Sequence, residues 1–465
     1  MMKNSIVLSV LVCSSLMSGC AHITGEKGLL IIENPANVLD VNQSIPPNWQ
    51  EGFNADLPKT LLWSDFNDPV LQGLIKTGLT NNLTLKSVAL NLQSALITLE
   101  SVNASTKPNL SLGSGNVGLS QGRRGGVNQS YSLRASGSYQ FDLWGRLKNS
   151  MEQTELALGN SETAIRAARI TVAQTITQLY LDIRVQDEFI RLQNQQIEIQ
   201  QEQLRLSEVR LKAGAITRLN VDQIDVNIQR LRSRLNDLHT SRVNLQRSLS
   251  IVLGQSSQRF ELPETNFSFV DILRLQPSSP LEVIFNRPDI ERAERAILRA
   301  DISLDTARKA WLPSLSLSSG AELSGTSISK FLTLDALSAS IGESLSILLY
   351  DNGNRRRSIS RSVLAREQAV LAYEKSILAS LQDIERVLGQ QSKNIRQIEI
   401  QELQQESQDR VTRIIQAQYD TGVASAFDLI REQSNALNAR QSRITNWRSG
   451  MQSSISILVA LGIEP

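Results

Sequence analysis

The 465-residue chain offers little reactive chemistry: two histidines, two cysteines and a few isolated acid-base neighbours. His22 and His239 stand far apart in sequence, and Cys13 lies inside an apolar leader with Cys20 just beyond it. No G-x-S-x-G elbow, Walker phosphate loop or cysteine pair occurs. The chain is therefore expected not to be an enzyme, with no catalytic residue, metal or cofactor assigned. One compact constellation remains, Tyr419, Gly422, Asp428 and Arg431. Asp428 and Arg431 are three residues apart, a spacing that lets them pair along a helix for a few tenths of a kcal/mol. Arg287-Pro288-Asp289 reads as a helix entry.

The elements that must position these residues are long helices. Residues 145–254 contain no proline and are split at Gly214. Ile176, Ile183, Ile190, Ile197, Leu204 and Leu211 form one heptad series. Val185, Leu192, Ile199 and Leu206 form a second, offset by two residues. At about 100° per residue the two series lie roughly 200° apart, on opposite flanks of one helix. Between them run Gln, Glu, Arg and Asp, so a helix on the order of 100 Å long must be a water-immersed stave and not a membrane span. Only 41% apolar and 5% aromatic content suits side-by-side staves better than thick cores. A net charge of +2, with basic and acidic residues interspersed, gives no case for nucleic acid.

The chain is written twice. Gly145, Gly214 and Gly254 recur as Gly353, Gly422 and Gly462, each pair separated by 208 positions. Pro108-Asn109-Leu110-Ser111-Leu112 recurs as Pro313-Ser314-Leu315-Ser316-Leu317 at an offset of 205. Three glycines at one offset point to duplication. Each half then reads helix, Pro, two strands, Gly, very long helix, Gly turn, helix, Gly. Gly145 and Gly353 mark strand-to-helix junctions, and Gly214 and Gly422 mark hairpin tips where a left-handed turn is needed.

Strands are expected at about 109–120, 130–143, 314–325 and 339–350. In the second, Tyr131, Leu133, Ala135, Gly137, Tyr139, Phe141 and Leu143 alternate with polar residues. The third repeats the pattern, while Glu343 falls on the apolar face of the fourth, at a membrane interface or through a slipped register. Such strands, apolar on one face and polar on the other, suit an outer-membrane β-barrel. Four cannot close one, since about eight is the smallest number, so the chain is expected to oligomerise. The loops at 121–128, with Arg123 and Arg124, and 326–338 would face outward. Arg355, Arg356 and Arg357 after Gly353 read as a solvated junction beside lipid head groups.

The N-terminus reads as an export signal, with Lys3, an apolar core over residues 6–17 and small residues before Cys20. Leu16-Met17-Ser18-Gly19-Cys20 resembles the lipobox of bacterial lipoproteins, with Met17 where Leu is usual. That resemblance implies cleavage before Cys20 and its acylation, and Ala21 in place of Asp implies the outer membrane as destination. Several acyl chains anchor stably where one does not.

In this context the chain resembles outer-membrane efflux factors of the TolC superfamily, in the NodT and OprM lipoprotein branch. The resemblance is carried by Trp63-x-x-Phe66-x-Asp68-Pro69, Asn82-Leu83-x-Leu85, Pro108-Asn109-Leu110, Phe141-Asp142-Leu143-Trp144-Gly145-Arg146, Arg287-Pro288-Asp289-Ile290, Tyr350-Asp351-x-Gly353-x-Arg355 and the turns at Gly214 and Gly422. It implies a mainly α fold with a small β part. Long coiled-coil helices form a periplasmic α-barrel, and four strands per chain contribute to a trimeric, 12-stranded transmembrane β-barrel. The implied divisions are a signal peptide (1–19), a lipid-anchored arm (20–62) and two efflux repeats (63–262 and 263–465). The long helices are expected at 146–213, 216–253, 354–421 and 424–461, with a shorter one at 288–311.

The implied function is the exit duct of a tripartite efflux system, passing small solutes such as drugs or metals to the exterior of a Gram-negative cell. Its implied partners are two further copies of the chain, a periplasmic adaptor, an inner-membrane pump of the resistance-nodulation-division type and outer-membrane lipid. The same resemblance makes Asp428 a periplasmic gate carboxylate and Tyr419 a residue that holds the gate shut. Arg431 stands where a second carboxylate is found, Asn220 replaces the acid of the first repeat, and Ala424 stands where the TolC branch has a latch arginine. Three Asp428 carboxylates at the axis would favour cations; the alternative is the local pair with Arg431. The competing functions are the duct of a type I protein secretion system and a rigid periplasmic structural or adhesin lipoprotein.

Overall fold

The computed structural model describes residues 62–115, 120–121, 127–128, 131–258, 260–264, 267–269, 272, 284–325 and 333–465. Cys20, the leader and nearly all of the arm lie outside the described residues, as do 122–126 and 326–332 of the two hairpin loops, Arg123 and Arg124 among them.

A 3-10 turn over Trp63–Phe66 leads into helix α1 (Pro69–Asn81). Asp68 caps α1, its carboxylate accepting from the Val70 and Leu71 N–H groups at 2.9 and 3.1 Å, and Pro69 takes the first helical position, where no N–H is needed. The Tyr180 hydroxyl donates to the other Asp68 oxygen at 2.5 Å, and the Trp63 indole donates to the Ile463 carbonyl at 2.9 Å. The opening motif thus joins the start of the chain to its middle and its end. Burial and the neighbouring Asp68 push the Tyr180 phenol up to about 12.

Asn82 caps α2 (Leu83–Ser105) by accepting from the Leu85 N–H, while its amide donates to the Val252 carbonyl at 2.7 Å. In the second repeat Arg287 makes the counterpart of the second bond, without a side-chain cap. It pairs with Asp289 and donates to the Ala460 carbonyl at 2.8 Å, 208 positions beyond Val252. Each helix-entry motif therefore satisfies a carbonyl that the end of a long helix leaves open.

The long helices are α3 (Arg146–Lys212), α4 (Arg218–Val252), α6 (Asn354–Asp420) and α7 (Ala426–Ala460). Both repeats have 67 residues in the first helix and 35 in the second. The 67-residue helices are about 100 Å long. Along α3 both heptad series are buried through its middle: Ile176, Ile183, Ile190 and Ile197 in one, Val185 and Leu192 in the other. Towards Gly214, Leu204, Leu206 and Leu211 are only half-buried. The core is accordingly a belt, where Ile176 and Ile183 meet Leu249, Ile384, Ile444, Trp447 and Met451. Trp447 stacks edge-on against Phe267, ring centroids 5.1 Å apart. Charged ties cross the belt from α3 to α7, with Glu188 to Arg440 at 3.1 Å and Asp182 to Arg448 at 2.6 Å.

The strands β1 (Asn109–Gly115), β2 (Tyr131–Phe141), β3 (Ser314–Gly325) and β4 (Leu337–Ser346) form one antiparallel sheet in the order β1-β2-β3-β4. Ser120–Gln121 pairs separately with Val127–Asn128. β4 starts two residues before the expected 339 and stops at Ser346 instead of 350. Ser346 pairs with Ser314, the first residue of β3, and the ladder goes no further. The Leu348 carbonyl is taken by the Arg355 guanidinium instead. Glu343 stands opposite Leu317 on the apolar face, so the register does not slip there.

Helix α5 (Pro288–Lys309) completes the fold. Near the sheet the staves lie in the order α2-α3-α5-α6. Because α2 runs into β1 and β4 runs into α6, the edges of the helical wall continue as the edges of the sheet.

Candidate functional site: paired hairpin tips and a two-faced sheet

Both hairpin tips are built alike. Gly214 and Gly422 have φ of +70° and +75°, and their N–H groups donate to the Leu211 and Tyr419 carbonyls, both at 2.9 Å. The next N–H in each, Ala215 and Val423, closes on Arg210 and Gln418. Such a pair of bonds ends a helix through a left-handed residue.

The helix that leaves each tip opens with a reciprocal cap. In the second repeat an Asp428 oxygen accepts from the Ser425 hydroxyl at 2.6 Å and from the Ser425 N–H at 3.2 Å, while the Ser425 Oγ accepts from the Asp428 N–H. In the first repeat Asn220 Oδ1 accepts from the Thr217 hydroxyl at 2.7 Å and the Thr217 N–H at 3.1 Å. Asn220 and Asp428 are therefore the same structural residue, differing by one charge. The Ser425 hydroxyl and N–H, with Arg431 beyond them, hold the Asp428 carboxyl below the ordinary carboxylate range. Arg431 Nη2 donates to Asp428 Oδ1 at 3.0 Å and its Nε to Glu432 at 3.2 Å, so the single chain has the local pair. Tyr419 lies one turn before Gly422 and is 42% exposed.

The two tips also touch. The Arg210 guanidinium lies 4.3 Å from the centroid of the Phe427 ring, a cation–π contact across the repeats. Sequence reasoning missed this contact because the partners are 217 positions apart. It also missed the caps, though Thr217-x-x-Asn220 and Ser425-x-x-Asp428 carry a signal for them.

At the other end, Gly145 and Gly353 adopt φ of +73° and +78° where strands turn into helices. Asp142 accepts from the Lys148 N–H at 3.0 Å and Asp351 from the Arg355 N–H at 2.8 Å. These N–H bonds, together with the Arg355 side chain at Asp351, keep both carboxyls below their usual range despite partial burial of Asp142. The Trp144 indole donates to the Pro313 carbonyl at 2.7 Å and Arg355 lies over the Trp311 ring at 4.2 Å. The aromatic residues of the junction motifs thus lock the sheet onto the staves.

The sheet has two faces. Leu110, Leu112, Ile341 and Leu345 are exposed on one, with Tyr139 and Phe141 packed edge to face at 4.8 Å. The other is mostly serine, with Ser111 hydrogen-bonded to Ser136 and Ser316 to Ser344, both at 2.8 Å. The apolar rows from Leu133 to Phe141 cover about 27 Å along the strand, close to the apolar band of an outer-membrane barrel once tilted. Among the described residues no helix is long and apolar enough to cross a membrane. An apolar outer face, a hydroxyl inner face and 100 Å staves beneath them define an outer-membrane channel.

The comparisons give its kin. The family model of the outer membrane efflux protein matches residues 74–255 and 280–463, and the chain belongs to that family. It is 24% identical over 401 residues to the probable outer membrane lipoprotein SilC of Salmonella typhimurium, covering 85% of this chain and 86% of that one. To the outer membrane protein OprJ of Pseudomonas aeruginosa it is 26% identical over 373 residues, 78% of each chain. Its fold matches the crystal structure of the Campylobacter jejuni CmeC outer membrane channel with a TM-score of 0.77 at 20% identity, covering 89% of this chain and 90% of that one.

Proposed function

We propose that three copies of this chain form the exit duct of a tripartite efflux system, with their twelve strands closing one barrel and their staves enclosing a periplasmic conduit. The observation that carries the reading is a pair of matching, unpartnered seams. Leu83, Leu90 and Ile97 on α2, and Leu364, Leu371 and Leu378 on α6, recur every seven residues and are all more than half exposed. Each seam spans about 21 Å. They stand at opposite edges of the stave wall, in line with the open edges of β1 and β4.

A head-to-tail contact of α2 on α6 and β1 on β4 buries both seams and both sheet edges, and closes into a ring when the rotation allows. β1 and β4 run in opposite directions, so the antiparallel alternation continues across the join. Twelve strands lie between eight, whose interior fills with side chains, and sixteen, which leave an aqueous channel.

The tips then point into the periplasm, where Gly214 and Gly422 would meet an adaptor and an inner-membrane pump of the resistance-nodulation-division type. Small solutes such as drugs or metals pass outward, and the pump supplies the energy. Asp428 is the gate carboxylate of this duct, beside Tyr419 and Arg431, and Cys20 carries its acyl chains. Intact mass of the purified complex tests assembly and lipidation together, with three chains each carrying acyl mass expected. Planar-bilayer recording tests the conduit, and a monomer that opens no channel overturns the reading.

A further inference from the structure

The polar face of the sheet is almost without charge. Ser136, Ser138, Ser316, Ser318, Ser340 and Ser344 dominate it, several bonded to one another, which leaves a neutral hydroxyl wall. Among the described residues of the four strands, the ionisable side chains on this face are Arg134 and Glu322. They stand directly opposite each other in the register of β2 and β3, towards the hairpin end. Arg134 also pairs in register with Gly113 on β1. Its Nη2 reaches to 3.9 Å from where a side chain on Gly320 would begin. Gly113 and Gly320 thus place no side chain beside the guanidinium.

Given the threefold ring proposed above, on which this inference rests, we infer that Arg134 and Glu322 form a charged belt at the outer end of the duct. Its balance of the two signs keeps the outer end of the duct open to cations and anions alike, far from the tips. Distance decides that the belt is felt. Twelve strands about 4.8 Å apart and tilted about 40° give a backbone cylinder of roughly 12 Å radius, and side chains reaching about 6 Å inward leave their charges about 6 Å from the axis. That is inside the Debye length of about 8 Å at physiological salt. Three positive and three negative groups balance, so the belt as built admits both signs. Loss of either set leaves three like charges, enough for about a fivefold bias after screening.

The test is the reversal potential of purified trimers in planar bilayers under a salt gradient near about 0.1 M, where screening is incomplete. Arg134→Ser should shift the cation-to-anion permeability ratio about fivefold towards cations and Glu322→Ser about fivefold towards anions. The double variant should return to the wild-type ratio and Arg134→Lys should keep it. All shifts should collapse near 1 M, where the Debye length is about 3 Å. Serine already fills the neighbouring positions, so the wall accommodates it. Channels of wild-type conductance whose reversal potential ignores both single substitutions overturn the belt and leave the duct standing. A wild-type protein that opens no channel overturns the duct and the belt with it.

Discussion

At the scale of single residues, chemistry can separate the capping role of Asp428 from the gate role proposed for it. As a cap it needs an acceptor oxygen, and Asn220 shows that an amide serves in the same place. As a gate it needs charge. Asp428→Asn should therefore keep the tip folded and lower the cation preference of the trimer, read as reversal potential; unchanged selectivity removes the gate role. The same variant has a pH signature. Because the native carboxyl titrates below its ordinary range, the unfolded chain binds the proton first, so the contribution is present at neutral pH and fades as pH falls through the lowered native value. Thermal melts between pH 7 and pH 3 should show a smaller acid-induced loss for Asp428→Asn than for wild type. Asp187 is shifted the other way, since burial outweighs the pairing with Arg242 and Arg184 and pushes its carboxyl up.

At the scale of elements, glycines of similar φ do different work. Gly214 lies at φ +70° with nothing within 4 Å of a substituted Cβ, so only the left-handed backbone penalises a side chain. Gly254 lies at φ +68°, and a Cβ there would come within 2.4 Å of the Asn81 carbonyl oxygen at the α1–α2 elbow. Gly214→Ala should cost about 1 kcal/mol and Gly254→Ala at least about 3 kcal/mol, as backbone strain and collision add. Melting midpoints of the two variants test the order; equal losses would show that the elbow yields.

At the scale of the whole molecule, the exposed heptads decide assembly. Within one chain Leu371 is 62% exposed, so Leu371→Glu should leave helix content unchanged by circular dichroism. It would place a charge in a seam that the ring must bury, and such unpaired burial costs several kcal/mol per chain. The expected outcome is loss of the trimer in native mass spectrometry. A trimer of wild-type stability would show that α2 and α6 do not meet.

Much of this architecture is local and therefore legible in one dimension. Period-seven apolar residues, proline-free runs and the glycine repeat specify the staves, their turns and the duplication, because each depends on neighbours a few residues apart. The Thr217 and Ser425 caps belong to the same local class. Tertiary structure alone decided which distant groups share a place: Trp63 with Ile463, Arg210 with Phe427, Arg134 with Glu322. It also decided that β4 stops at Ser346, since that limit depends on where β3 begins across the ladder and on Arg355 taking the Leu348 carbonyl. Pairing between strands and packing between helices join residues hundreds of positions apart, and no periodicity along the chain encodes the register in which they meet.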